Sequence, residues 1–175
     1  FVIQGVSWIR ADGVLLRENL ANEDTLKIIH DLGVKDCTKL YNNAAASLAS
    51  ARQFPTNTSQ SVSIANQFAE NFKFNHPLLL REGESQSQFE NFMNTYWNAF
   101  ENVEMNITES KSENSINAYR WTFEADHVRS FFGIPATHKR IEHQGVTVWI
   151  NNARGCAQKV YFNENLIVLI GQMES

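Results

Sequence analysis

Apolar positions along this chain follow a helical spacing through its first hundred or so residues and an alternating, strand-like spacing after that. Behind Asn22, a natural N-cap, Leu26, Ile29 and Leu32 share one face, and Gly33 is placed to end that short helix. A second helix is expected from about Cys37 to Arg52, with Leu40, Ala44, Leu48 and Ala51 on one side and enough alanine to let another element approach closely. Thr58 or Ser59 caps a third helix carrying Val62, Ile64, Ala65, Phe68 and Phe72. The chain then turns extended through FKFNHPLLL, because the residue before Pro77 is pushed out of the helical region. From Ser87 to Phe100 a fourth helix shows Phe89, Phe92, Met93, Tyr96, Trp97 and Phe100 on a broad face, first of all a core stripe and secondarily a pocket wall. Ahead of all these, VSWIRADGVLLREN sets Asp12-Gly13 between two apolar runs and fits either a hairpin or a helix interrupted at Gly13.

The second half reads as a sheet. VEMNITES, SINAYRWTFEADHV, THKRIEHQGVTVWI and GCAQKVYFNE are rich in Val, Ile, Thr and aromatic residues and are separated by turn-prone SKSEN, FFGIPA and NNARG. In the second of these strands Ile116, Ala118, Arg120, Thr122 and Glu124 fall on one face, and Asn117, Tyr119, Trp121, Phe123 and Ala125 on the other. Helices followed by hairpin-linked strands predict an α+β domain, a curved antiparallel sheet packed on helices and able to enclose a pocket.

Composition narrows the function classes. With 175 residues, 43% hydrophobic, 19% charged and a net charge of −4, the chain makes one compact domain with a sizeable core. The acidic balance gives no support for nucleic-acid binding, and no run reaches the roughly 20 apolar residues of a membrane-spanning helix. Cys37 and Cys156 stand far apart without metal-ligand spacing, so a reducing, cytoplasmic setting is the simpler reading, a single disulfide or a removed signal peptide being the alternatives. The sequons at Asn57 and Asn106 are chance matches in an Asn-rich chain.

Five histidines carry the candidate chemistry, since imidazole is most easily poised for proton transfer near neutral pH. His30 sits near the end of a helix and has no expected role. His76, His127, His138 and His143 fall at strand ends or loops, where cavity sites draw their residues. His127 lies beside Asp126 and near Glu124, either of which can fix its tautomer. His138 and His143 fall on opposite faces of a regular strand, and His143, sharing a face with Ile141, is the inward one, which leaves Glu142 facing away. No His-x-His or His-x-x-x-His pair, nucleophile elbow or phosphate loop is present, so neither a metal nor a cofactor is expected.

The stretch AYRWTFEADHVRSFFGIPATHKRIEHQG, Ala118 to Gly145, resembles the SnoaL-like polyketide cyclase family, whose members carry an Arg-Trp strand, a His, a Phe-x-Gly-Ile-Pro-Ala-Thr-Gly turn and a basic strand. The matching residues are Arg120, Trp121, His127, Phe131, Gly133, Ile134, Pro135, Ala136, Thr137 and Arg140. FKFNHP and the terminal LIVLIGQM are similar to further family segments. The resemblance covers residues 37–175 as a SnoaL-like domain and leaves residues 1–36 as an N-terminal extension.

This resemblance implies the cone-shaped fold of the nuclear-transport-factor-two-like superfamily and a cofactor-independent acid/base reaction in an apolar pocket. The reaction would be an aldol-type cyclisation, or a related isomerisation or dehydration, of an apolar carbonyl or polyketide-like molecule. A non-catalytic ligand-binding or dimerisation module of the same fold is the alternative. The implied catalytic residues are His127 with His143 or Glu142. Asn75, His76, Tyr96, Trp97, Tyr119, Trp121, Phe131 and His138 would bind substrate. His138 stands where the family turn has Gly, and in the late strand Lys159, Tyr161 and Asn163 or Asn165 replace the family's Glu, Trp and Asp. That leaves no carboxylate assigned to the pocket beyond the candidates Glu142 and Asp126. Val146, Val148 and Ile150 make an apolar outer sheet face that suits a homodimer.

Overall fold

The computed structural model describes residues 5–12, 15–23, 38–49 and 68–174. Strand β1 (Gly5–Asp12) pairs antiparallel with β2 (Leu15–Glu23), so the segment around Asp12 adopts the hairpin of its two readings. Asn22 belongs to β2, and Leu26, Ile29, Leu32, Gly33 and Cys37 lie outside the described residues. Helix α1 (Thr38–Ala49) occupies the middle of the expected Cys37–Arg52 helix and buries Ala44 and Leu48.

The expected third helix is corrected at its C-terminal end, from Phe68 to Phe72. Residues 58–67 lie outside the described residues, and Phe68 and Phe72 lie in strand β3 (Phe68–Asn75). Phe72 and Phe74 are buried and alternate with exposed Asn71 and Lys73, a period of two that the spacing of Phe68 and Phe72 concealed. Helix α2 (Gln86–Trp97) starts on Ser85, whose hydroxyl accepts a hydrogen bond from the Gln88 N–H, while the Gln88 side chain reaches back to the Glu84 N–H. This reciprocal cap sets the helix start. The helix stops short of Phe100, which opens β4 (Phe100–Glu113).

Strands β5 (Ile116–His127), β6 (Arg140–Asn151) and β7 (Ala157–Glu164) follow, and helix α3 (Leu166–Glu174) closes the described chain. The main sheet has the order β3-β7-β6-β5-β4. It is curved and not closed. β3 runs parallel to β7 and every other neighbour is antiparallel, so the all-antiparallel expectation fails at that one edge. Bulges in β4 between Glu101 and Glu104 and between Ile107 and Glu109 accompany the bend, with Asn102 at φ 50°.

The alternation read in β5 matches burial. Trp121, Phe123 and Ala125 are buried on the inner face, and Glu124 is exposed on the outer. On the outer face of β6, Val146 is already buried, and Val148 and Ile150 are half-buried. Helix α2 lays Phe92 and Tyr96 into the core beside Phe74, Phe131 and Phe132. The FFGIPA turn is a two-residue reversal: Phe131 and Ile134 exchange both backbone hydrogen bonds at 2.9 Å, and Phe132 (φ 45°) and Gly133 (φ 96°) take the positive angles this turn requires. Asn43 of α1 donates to the Phe132 carbonyl at 2.8 Å and leaves no space for a side chain at Gly133.

Candidate functional site

A cavity of about 620 Å³ opens between α2 and the inner face of the sheet. Its wall is largely aromatic: Phe68 from β3, Phe89 and Trp97 from α2, Tyr119 and Trp121 from β5, Trp149 from β6 and Phe162 from β7. The α2 stripe therefore serves as core and as wall, with Phe92 turned to the core and Phe89, Met93, Tyr96 and Trp97 meeting the cavity. Met105 and Ile107 of β4 bring half-exposed apolar side chains to the same space.

Glu164, the last residue of β7, brings a buried carboxylate to this wall. Its Oε1 lies 2.5 Å from His76 Nε2, and its Oε2 lies 2.7 Å from both His143 Nε2 and the Tyr96 hydroxyl. The side chains of His76, His143 and Glu164 are each only 1% exposed. His76 is aimed by the turn that follows it: the Leu79 N–H donates to the His76 carbonyl, and the Leu78 N–H donates to Nδ1 at 3.1 Å, with Pro77 setting the bend. Because Nδ1 accepts, the ring proton is on Nε2 and is given to Glu164. His143 packs between Trp121 and Phe123, ring centroids 5.9 and 5.5 Å away.

Burial alone would raise the Glu164 pKa, but the electrostatic and hydrogen-bond contributions of His76 and His143 outweigh it and hold the carboxyl well below the usual range. Burial, with the neighbouring Glu164 carboxylate, pushes the Tyr96 phenol well above its ordinary value, so Tyr96 remains a proton donor to the carboxylate. The resting site is thus an ionised carboxylate with two imidazoles and a phenol around it, set into an apolar wall.

Of the residues named from sequence, His76, Tyr96, Trp97, Tyr119 and Trp121 lie on the cavity wall, and His143 reaches the site through Glu164. Glu142 does not. It is exposed on the outer face, where its backbone exchanges hydrogen bonds with the Gln172 side chain of α3. His127 is buried beside Phe100 and away from the wall, with Nδ1 3.1 Å from Thr137 Oγ1 and no partner for Nε2 among the described residues. Phe131 packs edge-on against Tyr96 in the core, Asn75 ends β3 opposite Tyr161, and exposed His138 sits in the turn before β6; none of the three lines the cavity. Asp126 accepts from Asn102 at 2.6 Å on the outer face.

Glu164 is the residue that the sequence reading missed. Matching the late strand to family spacing directs attention to Asn163 and Asn165, one position to either side. The period-two run Val160, Phe162, Glu164 carries the signal, because it sets the glutamate on the inner face.

Among the described residues no group of three or more His, Cys, Asp and Glu is arranged to hold a metal ion, and no helix is long and apolar enough to cross a membrane. None of the curated proteins matches the chain in sequence. Solved structures do. A proposed SnoaL-like polyketide cyclase from Jannaschia sp. CCS1 superposes with TM-score 0.58 at 14% identity, covering 64% of this chain and 76% of that one. IdmH, a proposed polyketide cyclase from Streptomyces antibioticus, superposes with TM-score 0.53 at 13% identity, covering 77% and 99%. AclR, a proposed hydroxylase from Streptomyces galilaeus, gives TM-score 0.53 at 17% identity over 62% and 78%. At these identities the likeness is one of fold. The family model described as SnoaL-like polyketide cyclase matches residues 44–151, more than half of the sequence, and the chain accordingly belongs to the SnoaL-like polyketide cyclase family.

Proposed function

We propose that this protein binds an apolar, polyketide-like 1,3-dicarbonyl compound in the aromatic cavity and catalyses proton transfer on it without a cofactor, as in an aldol-type ring closure. The observation that carries the reading is Glu164, a buried carboxylate on the cavity wall held by His76, His143 and Tyr96. A core built only for stability is served as well or better by apolar residues, so an ionised cluster facing a cavity marks a working site.

The electrostatics select the substrate class. A carboxylate held this far down is ionised at any working pH but is a weak base. It suits an acidic carbon, such as one flanked by two carbonyls. Glu164 takes a proton from that carbon, the C–H electron pair passes to the carbonyl oxygen as an enolate, and the enolate carbon attacks a second carbonyl of the same molecule. The new alkoxide recovers the proton from Glu164, and the hydrogen bond that His143 Nε2 gives to Oε2 at 2.7 Å favours return to the resting carboxylate. The low-dielectric wall strengthens each of these contacts.

The test is the keto–enol interconversion of benzoylacetone, followed by ultraviolet absorbance after dilution from organic solvent. Wild-type protein is expected to accelerate it, and Glu164→Gln, checked for folding by circular dichroism, to lose most of that acceleration. Binding of benzoylacetone without acceleration would replace this reading with a non-catalytic ligand-binding module.

A further inference from the structure

We infer that the Thr147 hydroxyl is the hydrogen-bond donor that receives the substrate's developing enolate oxygen, a role that rests on the proton-transfer reading of Glu164. Thr147 is buried on the inner face of β6 and lines the cavity. The Trp121 indole nitrogen lies 2.8 Å from Thr147 Oγ1. An indole N–H can only donate, so the threonine oxygen accepts. Its own proton then has no acceptor among the described residues, and the wall beside it is aromatic. A buried hydroxyl proton without an acceptor is costly, and a ligand oxygen in the cavity removes that cost. Donation from the indole also polarises the hydroxyl and makes it the better donor.

The register sets this donor beside the base. Gly145 of β6 stands opposite Glu164 on one side and opposite Trp121 on the other, while Thr147 stands opposite Phe162. Thr147 and Glu164 are therefore diagonal neighbours on one face, about 7–8 Å apart along the sheet. That spacing suits a base taking a proton from carbon and a donor receiving charge on the adjoining carbonyl oxygen. Gly145 is part of the device, because a Cβ there would come within 2.5 Å of the Trp121 ring. The missing side chain lets the indole lie across the strand and reach Thr147.

The test compares 2-naphthol, whose hydroxyl mimics an enol oxygen, with naphthalene, which has the same apolar outline, by equilibrium dialysis. Thr147→Val is expected to weaken 2-naphthol about five- to tenfold and to leave naphthalene unchanged, with Thr147→Ser restoring 2-naphthol binding. An equal loss for both compounds, or a loss for neither, overturns the Thr147 role while the Glu164 reading stands or falls on benzoylacetone turnover. Failure of wild-type protein to prefer 2-naphthol over naphthalene likewise overturns the Thr147 role.

Discussion

Glu164 Oε1 and His76 Nε2 lie 2.5 Å apart with both side chains buried, although the two residues come from opposite ends of the domain. The parallel pairing of β3 with β7 brings them together: Asn75 aligns with Tyr161, so the chain leaves β3 at His76 beside the end of β7, where Glu164 lies. A parallel edge strand in an otherwise antiparallel sheet thus has a chemical consequence. It delivers an imidazole to a carboxylate that β6 and α2 have already supplied with His143 and Tyr96.

Acid stability should report this contact. The Glu164 pKa is lower in the folded protein than the roughly 4.3 of an unfolded chain, so its contribution to stability is full above about pH 4.3 and lost as pH falls through the folded value. His76→Phe removes a donor and leaves the buried charge less compensated. It is expected to cost about 3–5 kcal/mol at pH 7 and to flatten or invert the dependence below pH 4.3. Urea denaturation at neutral and acid pH measures both; an unchanged acid slope in the variant would refute the assignment.

His127 works with the opposite charge. Burial, reinforced by the charge of nearby His138 and only partly opposed by the Arg129 backbone, lowers its pKa. A depressed imidazole makes the folded state prefer the neutral ring, so its contribution is present above the unfolded value of about 6.5 and is lost as pH falls from there toward the folded value. His127→Phe replaces a ring with a partnerless Nε2 by an apolar one of similar shape. The variant should match or exceed wild-type stability at pH 5.5, lose that part of the pH dependence, and keep benzoylacetone turnover, because His127 does not reach the cavity wall. Loss of turnover in a folded His127→Phe protein would return this residue to the mechanism.

What the sequence showed and what it hid divide along physical lines. The inner face of β5 was readable because a strand alternates strictly, and Tyr119 and Trp121 on the cavity wall follow from that alternation. His76 was readable through its proline, which dictates a turn. Phe68 and Phe72 misled because a four-residue spacing suits a helix until a partner strand is known, and β7, which decides the matter, lies at the other end of the domain. Glu164 was hidden for a related reason. Its role depends on three residues distant in sequence, and a buried glutamate next to two asparagines looks locally like any polar strand end.

Gly145→Ala tests the wall beside Glu164. The added methyl would meet Trp121 Cζ2 at 2.5 Å and the Asn163 carbonyl oxygen at 2.8 Å, so the indole must move. A loss of about 1–3 kcal/mol is expected from overpacking, with a shift in tryptophan fluorescence as the indole leaves Thr147. Wild-type fluorescence and stability in Gly145→Ala would show that the ring is not held against this strand.

His138 offers the converse, a stabilising change. It occupies the turn position where the family pattern has Gly, it is exposed, and its φ is 56°. A side chain in the left-handed region costs roughly 1–2 kcal/mol, whereas glycine adopts it freely but gives back about 0.5–1 kcal/mol through the entropy of the unfolded chain. His138→Gly is therefore expected to gain about 0.5–1 kcal/mol in urea denaturation, with benzoylacetone turnover unchanged because the residue stands off the cavity. His138→Ala separates backbone from side chain: alanine bears the same strain as histidine, so it should sit near wild type. If alanine and glycine shift stability equally, the effect belongs to the lost imidazole and the backbone account fails.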